Sequence, residues 1–82
     1  MRTYHYKPEA QDNLADLRAL ADIDTINAAV KELANGTKSG YLIPLQSPFL
    51  SAKKKLYRYD VGRYKLNYTL TKRELQVESV MI

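Results

Sequence analysis

Arg58 and Lys65 stand on either side of the turn Val61-Gly62-Arg63, in the stretch KLYRYDVGRYKLNYTL that runs from Lys55 to Leu70. If two strands meet at Gly62, alternation puts Arg58, Lys65 and Asn67 on one face and Tyr57, Tyr59, Tyr64 and Tyr68 on the other. Cations spaced along adjacent strands can contact successive phosphates, giving salt-dependent binding without a base code. Arg63 at the turn and Lys53, Lys54 and Lys55 at one end extend the same patch. For the lysine run alone, a solvated surface explains the residues equally well. Seven tyrosines against one phenylalanine and no tryptophan offer rings that could stack on bases. The competing role for Tyr57, Tyr59, Tyr64 and Tyr68 is a core whose hydroxyls reach the rim.

Conventional catalytic groups are sparse. His5 is the one histidine, so a histidine pair for acid–base ribonuclease chemistry cannot be built. No Ser/His/Asp set, His/Cys metal cluster or glycine-rich phosphate loop is present, and neither metal nor cofactor is expected. Glu78, next to the basic strands, either abstracts a ribose 2′-OH proton or is a surface glutamate paired with Lys65. Any cleavage of RNA would rest on Lys and Arg stabilising the transition state, with the substrate held in geometry by something larger.

Eighty-two residues bound the chain to one domain, residues 1–82, near the size at which a single core is marginal. The absence of cysteine removes disulfides and thiolate metal sites and fits a cytoplasmic protein. No apolar run approaches the ~20 residues of a membrane span, and MRTYHYKPEA lacks the apolar segment of a secretory signal. The net charge of +4 is unevenly placed. Residues 1–35 are mildly acidic, whereas residues 36–82 carry nine cations against Asp60, Glu74 and Glu78. Such a half favours nucleic acid or an acidic protein.

The elements that must position these residues follow from periodicity. Arg2 to Tyr6 reads as a strand. Pro8 suits a first helical turn, and Ala10, Leu14, Leu17 and Ala21 form one stripe. Asp22 or Asp24 is expected to cap a second helix with the stripe Ile23, Ile26, Val30 and Leu33, ending at Asn35-Gly36. The short gap implies a helical hairpin. Residues 37–51 read as a connection across the core with a short edge strand near 41–45, or as an exposed patch for a partner at Leu42, Ile43 and Phe49. Strands near 54–61, 64–71 and 74–81 then form a meander. In the last, Leu75, Val77 and Met81 share one face and Gln76, Glu78, Val80 and Ile82 the other. The fold class is α+β in the order β-α-α-β-β-β, its helices on one face of a mainly antiparallel sheet.

That order, the spacing Tyr6-x-x-x-Ala10-x-x-x-Leu14-x-x-Leu17 and above all Leu56-Tyr57-Arg58-Tyr59-Asp60-Val61-Gly62-Arg63-Tyr64-Lys65-Leu66-Asn67-Tyr68 resemble the RelE/ParE superfamily of bacterial toxin–antitoxin toxins. The resemblance covers the chain except for residues 37–51. It implies a toxin neutralised by a cognate antitoxin, which would bury Leu42, Ile43, Phe49 or the sheet edge and set acidic residues against the basic face. In the RelE branch it implies an mRNA interferase, an endoribonuclease that cuts mRNA on the ribosome and inhibits translation, with Arg58 and Lys65 matching basic residues of the catalytic sheet. Asp60 stands where a second basic residue is common. The arginine and the tyrosine or histidine that follow the family's last strand have no counterpart up to Val80-Met81-Ile82, which implies weakened cleavage. In the ParE branch it implies a non-enzymatic inhibitor of DNA gyrase. A degenerate toxin fold kept as an interaction module is the third expectation.

Overall fold

The computed structural model describes residues 2–17, 19–43 and 55–82. Its elements are β1 (Thr3–Tyr6), α1 (Pro8–Ala15), α2 (Leu20–Asn35), β2 (Tyr41–Leu42), β3 (Leu56–Val61), β4 (Tyr64–Leu70) and β5 (Glu74–Met81). They build an α+β domain on one five-stranded sheet of order β1-β5-β4-β3-β2. β1 runs parallel to β5, and every other pairing is antiparallel. The parallel pair exists because both helices intervene between β1 and the later strands, and a parallel neighbour needs such a crossover.

Both helices lie against the sheet face that carries Tyr64, Leu66, Tyr68, Leu75 and Val77, which enclose Ala10, Ile26, Val30 and Leu33 in one core. They touch the sheet more than each other: α1 lies along β5, and α2 meets β1, β5 and β3. The expected helical hairpin is therefore two helices docked separately. The predicted stripe Ala10–Ala21 is also broken, because α1 ends at Ala15 and Ala21 is an exposed residue of α2. Ala10 is fully buried, while Leu14 and Leu17 pack at the margin of the core. Neither Asp22 nor Asp24 caps α2. Its N-cap is Ala19, with no side-chain cap, and Asp22 lies within the first turn. At the other end Gly36 adopts φ 80° and closes the helix in the left-handed conformation expected of Asn35-Gly36.

The β3–β4 register pairs Val61 with Tyr64 across a two-residue turn. Gly62 has φ 57° and Arg63 no positive φ, so glycine occupies the first loop position, where type II′ hairpin turns place it. The second turn is held by Thr71, whose amide donates to the Glu74 carbonyl at 2.8 Å and whose hydroxyl accepts from the Glu74 amide at 3.0 Å. The meander is thus as expected up to Asn67, where β5 departs from strict alternation. Leu66 pairs with Val80, Asn67 with Ser79 and Tyr68 with Val77, leaving Glu78 as an extra residue in a bulge. The bulge overturns the expected faces at the end of β5. Val80 turns into the core at 6% exposure, and Met81, 46% exposed, lies on the opposite face with Ser79.

Candidate nucleic-acid interface

The pairings Arg58↔Asn67 and Asp60↔Lys65 set Arg58 and Lys65 on one side of the sheet, because directly opposed residues share a face. Their neighbours Tyr57, Tyr59, Tyr64 and Tyr68 point to the helix side, where Tyr64 and Tyr68 are buried. Tyr57 stacks on Tyr68 with ring centroids 5.6 Å apart, and the hydroxyl of Tyr68 accepts the Gly40 amide at 2.8 Å. These rings therefore serve the interior, not base stacking. Burial pushes the Tyr68 phenol above its ordinary range, against a smaller opposing effect of the Gly40 amide.

On the open face, the centre is a polar ladder across three strands. Arg58 Nε donates to Asn67 Oδ1 at 3.0 Å, and Asn67 Nδ2 donates to Ser79 Oγ at 2.8 Å and to Met81 Sδ at 3.2 Å. Asn67, expected as a contact residue, is only 5% exposed and is occupied by these three bonds. Lys65 is exposed and diagonal to Arg58, with Cβ atoms roughly 7 Å apart by ordinary sheet geometry. Among the described residues neither cation has an ion pair. Glu78, projected by the bulge, is 4.0 Å from Lys7 and not paired with Lys65. It helps line a cleft of about 440 Å³ with Lys7, Pro8, Leu56, Asn67 and Ser79, at the start of α1.

Other expected residues are not gathered here. Arg63 turns to the helix side, 3.4 Å from Asp22, and its guanidinium donates to the Tyr64 hydroxyl at 3.1 Å. Tyr64 in turn donates to Asp22 at 2.6 Å. The bond to Tyr64 and then the Asp22 charge raise the Arg63 pKa further. Its role is therefore a clamp between the hairpin turn and α2, away from the Arg58–Lys65 face. Lys55 is exposed just before β3, whereas Lys53, Lys54 and Phe49 lie outside the described residues. Leu42 is 51% exposed in the edge strand β2, beside the half-buried Ile43. His5 lies at the far edge of the sheet, 3.1 Å from Glu74, with β5 and β4 between it and Arg58 on β3. Among the described residues no group of three or more His, Cys, Asp or Glu side chains could hold a metal.

Sequence reasoning missed Gly40. A Cβ there would fall on the Arg58 carbonyl oxygen and 2.6 Å from the Tyr68 hydroxyl, so the close approach of the chain before β2 requires glycine. Nothing local in Ser39-Gly40-Tyr41 signals this, since the crowding comes from residues 18 and 28 positions later. The bulge at Glu78 was equally silent. No helix in the described residues is long and apolar enough to cross a membrane. No protein-family model matches the chain, and a search of the curated proteins found no match to it.

Proposed function

We propose that this chain is the toxin of a bacterial toxin–antitoxin pair and that it acts as a RelE-like mRNA interferase in which Arg58 and Lys65 hold the RNA backbone. The observation that carries the reading is the shared orientation of these two cations on the side of the sheet away from both helices. Two diagonal cations, neither of them in an ion pair among the described residues, suit a phosphodiester, whose charge they neutralise as it builds up during displacement. The element order and hairpin residues that resemble the RelE/ParE superfamily add support. On this reading the partners are an antitoxin covering Leu42 and Ile43 on the β2 edge, and the ribosome with its mRNA.

A second reading is favoured by a different observation. Among the described residues no histidine lies near Arg58 and Lys65, and the nearest carboxylate in register, Asp60, faces Lys65 across the hairpin. A basic face with no histidine beside its cations suits a ParE-like inhibitor of DNA gyrase. Toe-printing of mRNA on ribosomes with the purified protein separates the two. The interferase reading expects cuts that disappear in Arg58→Ala and Lys65→Ala. Intact message together with inhibited gyrase supercoiling would replace it with the second reading. Growth arrest on induction, relieved by co-expressing a neighbouring acidic protein, tests the toxin assignment that both readings share.

A further inference from the structure

We infer that Asn67 is a positioning residue that fixes the direction of the Arg58 guanidinium rather than a residue that touches RNA. The inference rests on reading Arg58 as a phosphate contact. Asn67 is 5% exposed, yet it lies between β3 and β5 on the face that carries Arg58. Its amide can take only one orientation. Arg58 Nε can only donate and Met81 Sδ can only accept, so Oδ1 must face the arginine and Nδ2 the sulfur. Ser79 Oγ takes the second amide hydrogen. A side chain with both donors and its acceptor engaged cannot rotate without breaking all three bonds.

The bulge makes this arrangement possible. Uninterrupted alternation would set Glu78 opposite Asn67 and keep Ser79 and Met81 on the core face, out of reach of the Asn67 amide. With Glu78 extruded, Ser79 and Met81 both arrive on the open face. Anchoring Nε this way leaves the two terminal nitrogens of Arg58 as the donors for a ligand. A long side chain held at one nitrogen loses less freedom when it binds, and its fork is aimed before the ligand arrives.

The test uses the full chain, Asn67→Leu, Asn67→Asp and Arg58→Ala, with oligouridylate as the single-stranded RNA probe. In the unaltered protein the Arg58 Nε–H resonance should exchange with water more slowly than that of an exposed arginine. Asn67→Leu should remove that protection, and Asn67→Asp, which still accepts, should restore it. RNA affinity should fall about tenfold in Arg58→Ala and by a similar factor in Asn67→Leu, with no further loss in the double variant. Asn67→Asp should not recover affinity, because its charge offsets the guanidinium. An Arg58 Nε–H that exchanges freely in the unaltered protein overturns the inference, and this measurement does not depend on any variant folding. Additive losses in the double variant overturn it too, since Asn67 would then act apart from Arg58. Undiminished RNA binding by Arg58→Ala would instead remove the phosphate reading, with the exchange data still deciding how the arginine is held.

Discussion

Gly40 and Tyr68 form a contact that is tight enough to test by single substitutions. Adding a methyl group at Gly40 drives it into the Arg58 carbonyl and the Tyr68 hydroxyl. Gly40→Ala is expected to lower stability by about 2 kcal/mol in urea unfolding, the cost of overpacking a site whose neighbours include backbone. Tyr68→Phe removes the acceptor of the Gly40 amide and should cost about 1 kcal/mol. Tyr6 gives a pH dependence. Burial, and then the neighbouring Tyr4, push its phenol up to about 12, and its hydroxyl donates to Asn27. The unfolded chain releases that proton near pH 10, and the folded chain retains it longer. Between those values the native state binds more protons, so stability falls as pH rises. Melting temperature should drop from pH 10 to 12, and Tyr6→Phe should flatten the drop. A profile unchanged by Tyr6→Phe would assign the titration to other groups.

At the scale of elements, the bulge in β5 decides which residues of its last four face the core. Val80 is nearly buried beside Leu66, and its amide donates to Asn13 Oδ1 on α1 at 2.9 Å. The bulge therefore joins the sheet to a helix as well as re-aiming side chains. Val80→Ala should cost about 2 kcal/mol through lost burial and a residual cavity. Met81→Ala, on the half-exposed side, should cost less than about 1 kcal/mol. Strict alternation predicts the reverse ranking, so chemical denaturation of the two variants distinguishes the two registers directly.

Across the whole molecule, charge and architecture divide the labour. The acidic N-terminal half supplies the helices that close one face of the sheet, and the basic half supplies the strands that carry the other. On the interferase reading proposed above, single-stranded RNA binds through Arg58, Lys65 and Lys55, and that binding should weaken with salt, with a slope of log K against log salt of roughly −2. Lys65→Ala should make that slope shallower by roughly 0.7. Arg63→Ala should leave both affinity and slope unchanged, because its guanidinium is committed to Asp22 and Tyr64 on the helix side. A loss in Arg63→Ala equal to that in Lys65→Ala would mean that RNA crosses the hairpin turn instead of following the open face.

Much of this fold was legible in the amino-acid order. The alternation of Tyr64, Leu66, Tyr68 and Leu70 with Lys65, Asn67 and Thr69 determined the two faces of β4, because side chains on a strand repeat every second residue. Gly36 and Gly62 marked their turns for an equally local reason, a backbone conformation that other residues adopt at a cost. The common side of Arg58 and Lys65 followed from the same period. What the chain alone did not reveal depends on distant neighbours: the extrusion of Glu78, the turning of Arg63 toward Asp22, the enclosure of Asn67 and the crowding at Gly40. Each is settled by which of several near-equivalent local arrangements satisfies buried polar groups and volumes contributed by other elements, and that balance exists only once the sheet and helices have come together.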